Sequence, residues 1–387
     1  QYPVPGGKNP VPEQEKTMSY DYSEIVEYLL DWYELNKRIL PWRENPKPYY
    51  VWVSEIMLQQ TRVEAVKPYF ERFISELPEI KDLAMVDEER LLKLWEGLGY
   101  YNRVRNMQKG AITVMEEYNG SLPSSYEELL KLKGIGPYTA GAIASIAYQI
   151  PVPAIDGNVY RVTKRIAGSF DDITKAIVQK ELKKDLTLII PKDRPGDFNQ
   201  ALMELGATIC IPNGKPLCDK CPVMHLCKGF HSGTMCSIPV KPAKKQRKLE
   251  ERTILVLEYQ GKIAIRKREE KGLLAGLWEL PSLDGKYGIQ RIEEVLKNNT
   301  LEFPLKEKEN LNNEDHKATD RQNKTYYNIE ELGEAKHIFS HVEWRMTGYL
   351  IHFNEIIKEN NLTWVTRDEM REKYTLPSAY AAYIKKL

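Results

Sequence analysis

Cysteine is scarce in this chain, five among 387 residues, and all five lie between positions 210 and 236. A disulfide framework spreads its cysteines through a fold, and an odd number cannot all pair. The distribution points instead to a reducing compartment and a metal site. Long apolar runs are missing too. The best candidate, residues 141–155, is broken by Tyr148, Gln149 and two prolines, short of the ~20 residues that a membrane span needs. No charged-then-apolar leader opens the sequence, so neither export nor a membrane partner is expected. Charge of one sign is not in excess: 56 Lys+Arg face 55 Asp+Glu, a net +1. That excludes a uniformly basic coat but leaves room for a local basic patch. Glycine and proline, 23 each, are too few for a collagen-like or low-complexity chain.

What is present reads as two folded parts. At roughly 150 residues per domain the length suggests two or three domains. Residues 1–17 are polar and rich in Pro and Gly, and read as a disordered tail. From 18 to 230 the apolar spacing is helical, with stretches at 51–75, 87–97, 103–118, 125–132, 138–148, 157–167 and 175–188. Turn signals such as Asn119-Gly120 and Ile150-Pro151 separate them. A basic, proline-containing segment makes 231–251 a linker. Beyond 252 the pattern changes: β-like runs at 253–259 and 262–266 flank a Gln260-Gly261 turn, 293–296 is helical, and strands return near 337–353 and 362–365. Residues 252–387 are therefore an α+β domain, with 306–325 a polar loop inside it.

Three constellations carry chemistry. Cys210, Cys218, Cys221 and Cys227 are close enough to wrap one metal or cluster, and thiolates select zinc or iron–sulfur. Cys236 lies outside that spacing and reads as a spare thiol. Gly134 and Gly136 bracket a tight turn before a helix, beside Lys131 and Lys133. Amides freed by such a turn bind a phosphate without reading sequence. Asp156 precedes another helical run, where an N-cap is the plainer reason for an aspartate.

Taken in order, the hairpin, the Asp and the four cysteines resemble the helix-hairpin-helix DNA glycosylase superfamily. More narrowly, Leu40-Pro41-Trp42-Arg43, the run from Ser54 to Thr61, Glu96-Gly97-Leu98-Gly99-Tyr100-Tyr101 and Ile155-Asp156-Gly157-Asn158-Val159 resemble the adenine DNA glycosylase, or MutY, family. The likeness is dense over 22–230 and loose over 252–387. It implies an all-α helix-hairpin-helix glycosylase domain with an iron–sulfur loop, followed by a C-terminal α+β Nudix-like domain. The family's first cysteine gap is six residues; here it is seven, an extension at 212–217 that a loop absorbs. The cofactor implied is a 4Fe–4S cluster on Cys210, Cys218, Cys221 and Cys227.

The activity implied is base-excision repair of adenine paired with 8-oxoguanine in double-stranded DNA. Two carboxylates serve such hydrolysis. Glu55 sits in an apolar run whose desolvation keeps it protonated, ready to donate to the leaving base and then to activate water. Asp156 would stay ionised and stabilise the oxocarbenium-like sugar, with Asn158 and Tyr138 orienting the site. Relatives that cut the strand carry a lysine at position 138; a tyrosine forms no Schiff base, so a monofunctional enzyme is expected. By the same resemblance Trp42, Arg43 and Gln200 line the adenine pocket, and Gln60 and Tyr100 wedge into the stack. Arg103 and Arg105 are placed for phosphates by their helical spacing.

In the second domain, residues 272–281 resemble the start of a Nudix fold, and Arg291-Ile292-Glu293-Glu294 is only a remnant of its magnesium box. By the family resemblance this domain recognises 8-oxoguanine: Phe339, Ser340 and His341 resemble the family's recognition loop, with Leu58 and Thr61 from the first domain as candidate contacts. A pyrimidine glycosylase/lyase, a non-catalytic DNA-binding module and a Nudix hydrolase are the alternatives. Tyr138, the paired carboxylates and the degraded box weigh against them in turn. A monomer is expected, cytoplasmic beside a bacterial nucleoid, or nuclear or mitochondrial in a eukaryote.

Overall fold

A computed structural model describes residues 20–240, 246–297, 327–354 and 361–387. The tail at 1–17, the loop at 306–325 and the middle of the linker lie outside the described residues. In chain order the helices are α1 (Ile25–Asn36), α2 (Pro41–Glu44), α3 (Pro48–Leu58), α4 (Val63–Glu76), α5 (Ile80–Met85), α6 (Glu88–Leu94), α7 (Asn102–Glu117), α8 (Tyr126–Leu129), α9 (Pro137–Ala142), α10 (Gly157–Ala167), α11 (Ala176–Ile189), α12 (Pro195–Thr208) and α13 (Lys228–His231). Then come β1 (Lys248–Tyr259), β2 (Lys262–Lys267), β3 (Trp278–Glu279), β4 (Ser282–Asp284), α14 (Ile289–Lys297), β5 (Tyr327–Ile338), β6 (Val342–Phe353), β7 (Thr363–Thr366), α15 (Arg367–Glu372) and α16 (Ala381–Ile384). Among the described residues no helix is long and apolar enough to cross a membrane.

Packing divides the chain into two units that interleave along the sequence. One is Gln1–Glu55 with Leu122–Pro242; the other is Ile56–Ser121 with Ala243–Leu387. The first is built on α1, α10 and α12, whose apolar stripes meet through Ile25, Leu29, Val159, Val162, Leu202 and Leu205. Glycines let the backbones come close. A Cβ on Gly141 would stand 2.5 Å from the Pro153 carbonyl oxygen, and one on Gly206 would stand 2.6 Å from the Asn158 Cβ.

The second unit joins α4–α7 to a seven-stranded sheet of order β3-β2-β1-β6-β5, with β4 also on β1 and β7 also on β2. β1 runs parallel to β6 and antiparallel to β2, so the sheet is mixed. Both faces of β1 are covered: Ile254 and Val256 pack with Trp344 and Tyr380, and Leu255 and Leu257 with Ile292 and Ile351. That is why its centre is continuously apolar. Gln260 and Gly261 both take positive φ, 48° and 76°, which suits the twist of the β1–β2 hairpin.

The continuous helix expected over 51–75 is instead two helices. α3 ends at Leu58, Gln60 adopts φ 59°, and Arg62 is extended before α4 begins. The cause is tertiary. The Arg103 guanidinium accepts no further turn there, because it binds the carbonyls of Ile56, Met57 and Gln59 at 2.7, 3.2 and 2.5 Å.

Candidate active site

In the first unit, Glu55 lies near the end of α3 with 6% of its surface exposed. The Tyr138 hydroxyl, one residue into α9, donates to its Oε2 in a short hydrogen bond. Burial pushes the Glu55 carboxyl up to about 7; the Tyr138 bond and the Arg43 charge resist, and the Asp156 charge adds to the rise. A glutamate placed so keeps its proton well above the pH at which a solvated one loses it.

Asp156 is the N-cap of α10, so the plainer reading of its position holds as geometry. Its Oδ1 accepts the Val159 amide at 2.8 Å and its Oδ2 accepts Asn158 Nδ2 at 2.6 Å. Burial raises its carboxyl above the ordinary aspartate range, against those bonds and the nearby Arg161 charge. The sequence reading counted only the helix amides and missed the desolvation. One carboxylate thus serves both the helix start and the site.

Arg161 is a residue that the sequence reading did not find. Its Nη2 donates to Asn158 Oδ1 at 2.8 Å and to the Gly206 carbonyl at 2.8 Å, and its Nε donates to the Cys210 carbonyl at 2.7 Å. The signal available was an arginine one turn after Asn158, on the same helix face. It fixes which end of the Asn158 amide faces Asp156.

Trp42 is buried on α2. Arg43 donates to Glu204 Oε2 at 2.8 Å and to the Arg38 carbonyl at 3.2 Å. Gln200 lies on α12 at i−4 from Glu204 and i−3 from Met203, whose sulfur is 3.6 Å from the Tyr138 hydroxyl. The adenine-pocket candidates therefore gather on α2 and one face of α12.

Gly134 takes φ 84°, and Gly136 is the N-cap of α9 with φ −94°. The two differ in an informative way. Gly134 needs its positive φ, whereas a Cβ on Gly136 would touch nothing within 4 Å and strain nothing.

The four cysteines line one pocket together with Val162, Ile166, Leu205, Val223 and Phe230. The longer first gap is absorbed by a loop that turns at Gly214, φ 77°, and closes with the Leu217 amide on the Ile209 carbonyl at 3.0 Å. Among the described residues no group of three or more His, Cys, Asp or Glu closes tightly enough to hold a single ion. Four thiols lining one pocket are the donor set that a thiolate-held metal or iron–sulfur cluster would use. Cys236 is exposed.

In the second unit the wedge and recognition candidates come together. Tyr100, φ 49°, follows two left-handed glycines, Gly97 and Gly99. Its hydroxyl donates to Gln60 Oε1 at 2.7 Å and lies 3.0 Å from Ser340 Oγ. Residues 40 and 240 positions away in sequence thus meet at one exposed ring. Phe339, Ser340 and His341 form the tight turn between β5 and β6, with Phe339 edge-on to Trp344 at 4.9 Å. They line a groove with Tyr100, Leu273 and Leu274, and with His337, which the sequence reading did not single out. Leu58 and Thr61 flank the α3 end, half-buried.

Arg103 and Arg105 do not stand as phosphate contacts. Arg103 holds the α3 carbonyls and those of Leu98 and Gly99, at 3.2 and 3.1 Å. Arg105 pairs with Glu88 at 2.6 Å, its side chain mostly buried. Two positions apart on α7 they point to different sides of the helix, and each is taken up by protein groups. Arg103→Met should cost about 2 kcal/mol in a thermal melt, through carbonyls left unpaired. The salt slope of duplex binding should stay unchanged, where a lost phosphate contact would lower it by about 0.9.

Residues 53–187 match the model of the HhH-GPD superfamily of base excision DNA repair proteins, and 252–386 match a NUDIX domain. Fold and site thus define a helix-hairpin-helix base-excision protein with a Nudix-like second domain. Among solved structures, a thermostable thymine-DNA glycosylase superposes with a TM-score of 0.50 at 27% identity, over 54% of this chain and 96% of that one. Curated relatives named adenine DNA glycosylase include those of Mus musculus, 37% identical over 84% of this chain and 69% of its own, and of Schizosaccharomyces pombe, 32% over 91% and 87%. The Arabidopsis thaliana relative is 38% identical over 81% of this chain, which spans 55% of that protein's length. The chain belongs to the adenine DNA glycosylase family, hydrolases of N-glycosyl bonds.

Proposed function

We propose that this chain excises adenine paired with 8-oxoguanine from duplex DNA and leaves an uncut abasic site. The observation that carries this reading is Glu55: buried, hydrogen-bonded by Tyr138, its carboxyl pushed up to about 7 by desolvation with the Asp156 charge adding to the rise. With adenine turned out of the stack, protonated Glu55 donates to an imidazole-ring nitrogen of the base. The C–N bond then breaks with its electron pair leaving on adenine. The Asp156 carboxylate faces the cationic sugar that results. Glu55, now ionised, takes a proton from the water that attacks the anomeric carbon. Tyr138 holds Glu55 and Asn158 holds Asp156. Tyr138 offers no amine for a Schiff base, which supports base removal without strand cleavage.

Trp42, Arg43 and Gln200 would receive the extruded adenine. Gln60 and Tyr100 would fill the stack it left, and Ser340, beside Tyr100, would read the oxidised partner base with Phe339, His341, Leu58 and Thr61. Cys210, Cys218, Cys221 and Cys227 would hold a 4Fe–4S cluster, whose place is to fix the loop after α12; glycosyl hydrolysis needs no electron from it. A monomer acting on duplex DNA suffices for these steps.

The test is a single turnover with excess protein on a duplex holding one A opposite 8-oxoguanine, with A opposite T as control. Lesion-dependent adenine release with an intact strand supports the reading; binding without release removes it. The hairpin has its own check. Gly136→Ala should leave the thermal melt unchanged, because the space is open, and weaken duplex binding about tenfold in a filter-binding titration, because the added methyl stands where a phosphate would approach the amides.

A further inference from the structure

Glu204 is the most deeply buried carboxylate of the first unit, with 1% of its surface exposed. It stands on α12 in the apolar run Ala201-Leu202-Met203-Glu204-Leu205, where a core helix would place a hydrophobe. An ionised carboxylate is buried so only when its lone pairs are filled. Here they are. Oε1 accepts Arg38 Nε at 2.5 Å and the Arg38 amide at 3.3 Å, and Oε2 accepts Arg38 Nη2 at 3.1 Å and Arg43 Nη2 at 2.8 Å. The Arg43 guanidinium is further tied by Nη1 to the Arg38 carbonyl and lies over the Tyr33 ring at 5.6 Å. Its charge reaches Glu55.

We propose that Glu204 is a positioning residue for the excision step: its carboxylate clamps Arg43, whose charge reaches Glu55, in one orientation at the adenine pocket and balances the Arg38–Arg43 pair. The inference rests on the adenine-excision reading above and deepens it. Two arginines and one glutamate leave a single net positive charge there. Without the carboxylate, Arg43 loses its anchor and two uncompensated cations remain. The groups that bear on Glu55 are Tyr138, Asp156 and Arg43; those that bear on Glu204 are Arg38 and Arg43, with Asp197 and Tyr33 in the same neighbourhood. More positive potential favours ionised Glu55, so its acid form disappears at lower pH.

The experiment compares wild type, Glu204→Gln and Glu204→Asp in single turnover across pH 5–9. Duplex affinity is measured on a non-cleavable adenosine analogue opposite 8-oxoguanine, and folding is checked by thermal melting. Glu204→Gln is expected to bind the duplex within about threefold of wild type. Its release of adenine should be on the order of 10- to 100-fold slower, and the pH at which the rate declines should move down. Glu204→Asp keeps the charge and should hold the wild-type decline while recovering part of the rate. A wild-type rate and decline in Glu204→Gln would overturn the proposal. So would a rate loss matched by a fall in folded protein with an unmoved pH profile. A wild type that releases no adenine would instead remove the excision reading itself.

Discussion

Glu55→Gln is expected to abolish adenine release and at the same time make the protein more stable. The first effect follows from the donated proton: an amide cannot supply it, and losing a well-placed general acid costs about 10²–10⁴-fold. The second follows from burial. The carboxyl titrates near 7 in the fold, against 4.5 when solvated. Below pH 4.5 both states are neutral and Glu55 costs nothing. Between 4.5 and 7 the unfolded chain ionises while the folded one resists, so stability falls as pH rises, and above 7 the loss is complete. The gap of roughly 2.5 pH units corresponds to about 3 kcal/mol at pH 8. Glutamine keeps the oxygen that accepts the Tyr138 hydroxyl and carries no charge. Urea titrations of the two proteins should therefore coincide near pH 4 and separate by about that much at pH 8, the variant being the more stable. A variant less stable than wild type at pH 8 would mean that Glu55 is not held in a desolvated setting. Wild-type excision should fall as pH rises past about 7, with the acid form of Glu55.

Much of this site was legible because its residues sit in short, chemically pointed runs. Glu55 among Val51, Trp52, Val53, Ile56 and Met57 already implied desolvation. Asp156 before a helical run already implied amides at its oxygens, and the short β-branched, apolar run 253–259 before a Gln260-Gly261 turn already implied a strand. What sequence could not supply was partnership at long range. Arg103 reads as a surface cation by spacing. Only the fold shows that five carbonyls, from the end of α3 and the turns after α3 and before α7, converge on it. Glu204 and Arg161 look like ordinary polar interruptions of helices until Arg43, Asn158 and Cys210 arrive beside them. The break after α3 was missed for the same reason, since local periodicity through residues 51–75 is helical and the turn is imposed from residue 103. Tyr100 and Gln60 read as wedge residues and Ser340 as a reader of the opposite base. Their meeting at one hydroxyl depends on packing α7 and the β5–β6 turn into one unit, which no local pattern encodes.

Asp156→Asn tests whether the second carboxylate acts by charge or by capping, and the neighbouring hydrogen bonds make the outcome specific. Asparagine caps a helix nearly as well as aspartate, so the Val159 amide keeps its acceptor. The other end of the new side chain is an NH₂ group, and it faces the Asn158 NH₂ across 2.6 Å. Turning the Asn158 amide over relieves that contact, but it presents an NH₂ to Arg161 Nη2, which now donates to the Asn158 oxygen. No amide orientation satisfies all three residues. One buried donor is left unpaired, at a cost of about 1–3 kcal/mol. Adding Asn158→Asp restores an acceptor on both sides, toward residue 156 and toward Arg161. The double variant should therefore melt above Asp156→Asn and near wild type. Its excision should stay depressed by about 10³-fold or more, because the negative charge has moved away from the position that faces the sugar. Recovered stability without recovered rate assigns Asp156 a charge-dependent task in the reaction. Recovery of both would reduce it to a cap and return the catalytic burden to Glu55 alone.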